Sequence, residues 1–266
     1  KTQSQNNRLN AERGRLLYLL EKKQKAMNHW RAIIARNTRD KFTYTSVTNA
    51  MLQAGATEEA VALLLAGRLA LSDDNAFTYD IARIHAARGN IPDATHEYLV
   101  HLDRNAGMLD HISNQLIKML ENDGASQIIQ FGFKEFLSKP GDHRAVVLAQ
   151  AKLLLFEKQY EQCVEAVRST ASKPSMKDIL DIANDLMAEK AWSPAAELYL
   201  YISGNSQDKR EIGEALLKLA STYEQRLQKT TRYHSLGGYF PGNQFLDLEM
   251  RFISDVDGSL ERTLKL

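Results

Sequence analysis

The chain has little of what marks several common protein classes. A single cysteine, Cys163, stands among 266 residues, so an internal disulfide cannot form. Five prolines and 14 glycines are too few for a collagen-like or low-complexity sequence. Apolar runs are short, and even residues 61–71 are interrupted by Gly67 and Arg68, well below the roughly 18 residues that suggest a membrane span. The composition therefore predicts a folded protein without a membrane span in this chain.

The chain also has no marked excess of positive or negative charge. Lys plus Arg total 34 against 33 Asp plus Glu, so no global field attracts nucleic acid or anionic lipid. The chain begins at Lys1 rather than Met, and its last apolar run ends at Leu266 without a cap. We interpret it as a fragment of a longer protein. Its single cysteine is compatible with the cytoplasm and with a bacterial periplasm or cell envelope.

Residue patterns typical of catalytic and metal sites are missing as well. No two of the seven histidines have the four-residue helical spacing of a zinc pair, since His96 and His101 point roughly 140° apart on a helix. Cys163 falls at a packing position, which favours a buried thiol over a nucleophile. Complete phosphate-loop, serine-elbow and calcium-loop motifs are absent. The sequence therefore predicts no enzyme, no metal site and no cofactor.

What the chain does contain is helical periodicity with a longer repeat. Apolar residues recur every three or four positions, which indicates an all-α fold. Small or apolar residues, here called anchors, recur at steps of 34, 34, 35, 34 and 32 residues: Ala26, Ala60, Ala94, Ile129, Cys163 and Ala195. Large residues follow each anchor by four positions: Trp30, Leu64, Tyr98, Phe133, Val167 and Tyr199. Five residues before an anchor stand Gly55, Gly89 and Gly124, with Lys158 and Lys190 at that place later.

This spacing predicts one pair of antiparallel helices per unit, because small residues on both helices let the two backbones approach. The pattern resembles the tetratricopeptide repeat family, and the resemblance implies a right-handed α-solenoid of about six to seven repeats. The units are predicted within residues 1–230, at residues 7–40, 41–74, 75–109, 110–143, 144–175, 176–208 and 209–230. A long loop is predicted from Lys229 to Gln244. Residues 231–266 are expected to form this aromatic- and glycine-containing loop and a C-terminal helix, as a cap or as the start of a further repeat.

The resemblance also implies that the first helix of each pair lines a concave binding face. The donor ladder is defined here as the position eleven residues before each anchor, together with the next position of the same register. It holds Arg15, Asn49, Arg83, Lys118, Lys152, Asn184 and, where the register is extended, Lys218. Apolar residues expected on the same face include Tyr18, Phe42, Tyr79 and Phe156. The donor ladder is open to two interpretations. It is either ordinary solvated surface charge or a row of donors for the carboxylates or carbonyls of a bound peptide.

One subset of the family clamps a C-terminal carboxylate with Lys and Asn at set positions. Thr45 and Asp80 stand where that clamp needs Lys and Asn, so the clamp is not expected here. The family resemblance implies a non-enzymatic scaffold that binds a protein or peptide, with acidic groups favoured, inside a larger assembly. Two alternatives stay open: an RNA-binding helical-repeat protein, which balanced charge and the lack of a recurring base-reading pair disfavour, and a self-associating module.

Overall fold

The predicted all-α class is confirmed for the part of the chain that the structure describes. The computed structural model describes residues 2–169 and 172–237, and side chains within residues 8–169 and 172–226. These residues form thirteen α-helices and one short 3₁₀ turn at Ala106–Met108, without any strand. None of these helices combines the length and the apolar content that crossing a membrane requires.

The helices pack in neighbouring pairs, and the members of a pair are called here its first and second helix. Six pairs follow one another along the chain, and the two members are in close contact in all of them except the fourth. They are α1 (Thr2–Leu19) with α2 (Lys23–Arg36), α3 (Lys41–Gln53) with α4 (Thr57–Leu71), α5 (Thr78–Ala87) with α6 (Ile91–Arg104), α7 (Leu109–Met119) with α8 (Ala125–Leu137), α9 (Arg144–Phe156) with α10 (Tyr160–Ser169), and α11 (Met176–Ala188) with α12 (Trp192–Asn205). A single long helix, α13 (Lys209–Gly237), follows them.

The chain divides into two compact units, Lys1–Pro140 and Gly141–Leu266. The first unit contains α1 to α8. Within it the first helices α1 and α3 contact each other, as do the second helices α6 and α8. The second unit contains α9 to α13, and there α9 contacts α11 while α10 contacts α12. Like helices of successive pairs therefore lie side by side at these four places.

The turn inside each pair has one left-handed residue at a fixed place. Six residues, each five positions before an anchor, have positive φ: Glu21 (61°), Gly55 (81°), Gly89 (71°), Gly124 (72°), Lys158 (59°) and Lys190 (62°). Glycine adopts this conformation without strain, whereas a residue with a Cβ pays a steric cost. The backbone of the turn is thus kept in all six pairs, although only three of them retain the glycine.

The predicted packing positions form the core. All six anchors and all six large residues four positions later have 0% exposure. The burial of Cys163 is confirmed, and this burial, with a contribution from the charge of Asp185, raises the pKa of its thiol to about 12. A thiol in this state packs as a small apolar group.

The first pair shows why a small residue is needed on the first helix. A Cβ added to Gly14 would lie 2.1 Å from Nε1 of Trp30, so the bare backbone of α1 rests against the indole. The indole N–H donates to the carbonyl oxygen of Ala11 over 3.0 Å, which satisfies its one polar group inside the core. A larger residue at position 14 would separate α1 from α2.

The chain departs from the sequence-based prediction at its C-terminal end. A loop was predicted to begin at Lys229, but α13 continues as a helix to Gly237. The reason is that losing the repeat register does not end a helix, and no glycine or proline occurs between Lys229 and Leu236. The rest of the predicted loop and the predicted C-terminal helix lie outside the described residues.

Candidate functional site

Three members of the donor ladder stand exposed on successive first helices of the first unit. Asn49 lies on α3, Arg83 on α5 and Lys118 on α7. Within the described part of the chain, none of these three side chains makes a hydrogen bond or an ion pair. Asn49 and Arg83 follow directly on the buried residues Thr48 and Ala82, so the fold fixes the place from which these two donors project.

The other members of the donor ladder have different surroundings. Arg15 donates to Oε2 of Glu12 over 2.7 Å. Asn184 is half-buried, and its Oδ1 accepts from the hydroxyl of Tyr199 over 2.9 Å. Lys152 is half-buried and Lys218 is exposed on α13. The ladder is therefore not uniform, and its uncommitted donors in the first unit are the three on α3, α5 and α7.

The aromatic residues predicted for the same face differ in their exposure. Phe42 on α3 and Phe156 at the end of α9 are 51% and 57% exposed. Tyr18 is half-buried against Trp30, with ring centroids 5.9 Å apart. Tyr79 is half-buried inside a group of polar and aromatic side chains. Phe42 and Tyr79 thus add apolar surface to the helices that carry Asn49 and Arg83.

The group around Tyr79, here called the Tyr79 cluster, joins three consecutive helices. The Tyr79 hydroxyl and Nε2 of His111 are hydrogen bonded at 2.7 Å, which links the start of α5 to the start of α7. The centroid of the Tyr79 ring lies 5.6 Å from that of the His101 ring and 6.1 Å from that of the Tyr98 ring, and both of these residues are on α6. Oγ1 of Thr78 is hydrogen bonded to Nδ1 of His101 at 2.9 Å. Asp80 and Arg83, which follow Tyr79 on α5, are included in the cluster because their charges act on His101 and Tyr98.

Burial and neighbouring charges shift the pKa values of two side chains in the cluster. Burial raises the pKa of the Asp80 carboxyl, against the opposing effects of Arg83 and His101. Burial also lowers the pKa of His101, and the carboxylate of Asp80 partly offsets this. Desolvation favours the uncharged form of each group. Arg83 adds a guanidinium to the cluster, which offers hydrogen-bond donors and no acceptor.

Tyr98 is the most unusual member of the cluster. Its side chain has 0% exposure, and its buried hydroxyl has no hydrogen-bond partner among the described residues. Burial raises the pKa of this phenol to about 12, while the charge of Arg83 acts in the opposite direction. A buried hydroxyl without a partner destabilises a fold and calls for an explanation.

The cluster contains hydrogen-bond donors, one carboxylate and several aromatic faces, which are groups suited to recognising a polar ligand. Within residues 8–169 and 172–226, no group of three or more His, Cys, Asp and Glu side chains is placed to hold a metal ion.

The sequence predicted Tyr79 and Arg83 on this face but did not connect them with the histidines. Helical spacing tests pairs of histidines on one helix, whereas His111 meets Tyr79 across two consecutive pairs, 32 residues apart. The available signal was the register itself, because Tyr79 and His111 each stand near the start of a first helix. Comparing equivalent positions of successive helix pairs is a way to find such contacts from the sequence.

Comparison with protein-family models and with curated proteins gives no match for this chain.

Proposed function

We propose that this protein is a non-enzymatic scaffold of the tetratricopeptide type, and that its first unit binds an extended peptide segment of another protein. The helix pairs would stack as a right-handed solenoid. Support comes from the side-by-side contacts of like helices, α1 with α3 and α6 with α8. Further support comes from the left-handed turn residue that recurs before every anchor. The peptide would lie across the first helices α3, α5 and α7.

The observation that carries this proposal is the row of three uncommitted donors, Asn49, Arg83 and Lys118, at one register position of three successive pairs. Donors repeated at one register position suit a ligand with repeated acceptors, such as the carbonyls and acidic side chains of a peptide. Phe42 and Tyr79 on the same helices supply the apolar contact area that affinity also requires.

The charge of this face favours a peptide over RNA. Binding to single strands depends on neutralising several phosphates, so it needs a dense row of cations with stacking platforms. The three donors include only two cations, and the carboxyl of Asp80 stands three residues before Arg83 on the same helix. A peptide with a few acidic groups matches this balance of charge better than a polyanion does.

The test uses fluorescein-labelled peptides from a positional-scanning library, and their binding is followed by fluorescence anisotropy. The triple variant Asn49→Ala, Arg83→Ala, Lys118→Ala is expected to bind the selected peptides about 30-fold more weakly, since losing charge-assisted hydrogen bonds costs about 2 kcal/mol. Its matched control is Arg31→Ala, Gln127→Ala, Lys134→Ala, which removes two cations and one amide from exposed positions of the second helices.

The control variant is expected to bind as the unmodified protein does. Equal weakening in both triple variants, or no weakening in either, would contradict the proposed binding face. Retardation of single-stranded oligouridine in a gel, lost steeply as salt is added, would support the RNA alternative instead.

A further inference from the structure

Two tyrosines at the same register position have different hydrogen bonds. Tyr98 and Tyr199 each lie four residues after an anchor and are fully buried. The hydroxyl of Tyr199 donates to Oδ1 of Asn184, fifteen residues earlier. Fifteen residues before Tyr98 stands Arg83, whose guanidinium has only donors. The Tyr98 hydroxyl therefore lacks the acceptor that its counterpart has.

We propose that Arg83 and Tyr98 form a subsite in which both donate hydrogen bonds to one carboxylate of an acidic side chain on the bound peptide. This inference rests on the proposed function and names the ligand chemistry of that binding face. In the α11–α12 pair, the acceptor is supplied by the protein. In the α5–α6 pair, the acceptor comes with the ligand.

The chemistry of the two donors selects a carboxylate. A guanidinium presents a planar fork of N–H groups that matches the two oxygens of a carboxylate. A phenol O–H donates one further bond to the same group. The hydroxyl of Tyr98 is covered in the free protein, but Arg83 is exposed and makes no ion pair within the described residues. Its long side chain is thus able to move with the carboxylate that it binds.

The hydrogen bond between Tyr199 and Asn184 indicates how far a tyrosine at this register position extends. The hydroxyl of Tyr199 comes within 2.9 Å of the short Asn184 side chain, so a tyrosine at this register position extends to the first helix of its own pair. Arg83 and Tyr98 have the same fifteen-residue spacing on the equivalent helices α5 and α6. In the proposed subsite, a carboxylate that binds Arg83 is therefore expected to lie near the Tyr98 hydroxyl.

Asp80 weakens the subsite that we propose. It stands three residues before Arg83 on α5 and makes no hydrogen bond or ion pair within the described residues. An ionised Asp80 repels an incoming carboxylate. Asp80→Asn removes the repulsion at almost unchanged volume, so this variant is expected to bind acidic ligands more tightly than the unmodified protein.

The direct experiment uses two small probes, N-acetylglutamate N-methylamide and its glutamine counterpart, titrated into the protein and followed by NMR chemical shifts. The unmodified protein is expected to prefer the glutamate probe by about tenfold, the usual advantage of a charge-assisted hydrogen bond over a neutral one. Arg83→Asn is expected to lose this preference, and Arg31→Asn, the same substitution at an exposed position of the second helix α2, is expected to keep it. Equal binding of the two probes, or no binding of either, would overturn the subsite.

A second measurement concerns folding and needs no ligand. Arg83→Asn supplies the acceptor that Asn184 provides to Tyr199, so the thermal midpoint of this variant is expected to rise. The reciprocal change Asn184→Arg removes the acceptor of Tyr199, and the midpoint is expected to fall. An unchanged or lower midpoint for Arg83→Asn would show that Tyr98 does not reach this position. Peptides that bind without any preference for acidic residues would refute the subsite and leave the proposed function intact.

Discussion

At the scale of the residue, the turn inside each helix pair keeps its backbone conformation although the residue type changes from pair to pair. Gly55, Gly89 and Gly124 have positive φ, and so do Lys158 and Lys190 at the equivalent place in later pairs. The repeat register predicted these equivalences, because a fixed spacing from the anchor fixes the turn. It did not predict that lysine accepts the left-handed conformation, since residue type alone favours glycine there.

Substitutions at the left-handed turn residue test the effect of backbone strain on stability separately from the effect of packing. Nothing lies within 4 Å of a Cβ built on Gly89, so Gly89→Ala changes the backbone preference and creates no clash. The free energy of unfolding is expected to fall by about 1 kcal/mol. Lys190→Gly makes the opposite change and is expected to raise it by about 0.5–1 kcal/mol, because relief of strain exceeds the entropy that glycine loses on folding.

Urea unfolding measures both changes. The two variants serve as controls for each other, since they alter the same register position in opposite directions. A Gly89→Ala protein as stable as the unmodified protein would show that the turn is not under steric constraint.

At the scale of the element, an ion pair ties one second helix to the next. Arg68 on α4 donates to both carboxylate oxygens of Glu97 on α6, over 2.9 and 2.6 Å, and to the carbonyl of Ala76 over 2.8 Å. The two side chains are only 14% and 13% exposed. Arg168 on α10 pairs with Glu197 on α12 at the same sequence separation of 29 residues. An Arg–Glu pair thus joins two neighbouring second helices in each unit, and the pair in the second unit is more exposed, at 41% and 51%.

Removing Arg68 is expected to be costly because it leaves Glu97 largely buried without its partner. Arg68→Met keeps much of the side-chain volume and is expected to lower the free energy of unfolding by about 2–3 kcal/mol. The control is Arg88→Met, which breaks the exposed pair with Glu58 at 3.1 Å and is expected to cost less than about 0.5 kcal/mol. Similar losses in the two variants, measured by thermal or urea unfolding, would contradict this account of the Arg68 pair.

The helices and their pairing were largely predictable from sequence, whereas the contacts between pairs were not. Anchors such as Ala60 and Ala94 indicate where two helix backbones come close together, because a small side chain at a regular spacing allows that approach. The bond between Tyr79 and His111, which joins two pairs, depends on which side chains meet in space, and so does the bond between Tyr199 and Asn184 inside one pair. Residue spacing alone does not select these partners.

At the scale of the whole molecule, the three exposed donors of the proposed binding face all lie in the unit Lys1–Pro140. The sequence predicted the donor ladder along all pairs and left open whether it binds a peptide or is solvated surface charge. Asn49, Arg83 and Lys118 are exposed in the first unit, whereas Asn184 in the second unit bonds to Tyr199. The difference arises because a register position fixes where a side chain begins, and its neighbours decide whether the side chain bonds within the fold.

The most direct test of the peptide-binding face is site-specific photo-crosslinking to a selected acidic peptide. Two exposed phenylalanines of the first unit form a matched pair: Phe42 on the first helix α3 is 51% exposed, and Phe131 on the second helix α8 is 66% exposed. Each is replaced in turn by p-benzoylphenylalanine and irradiated with the peptide. We expect a crosslink from position 42 and none from position 131, whereas crosslinking from position 131 alone, or equally from both, would contradict binding along the first helices.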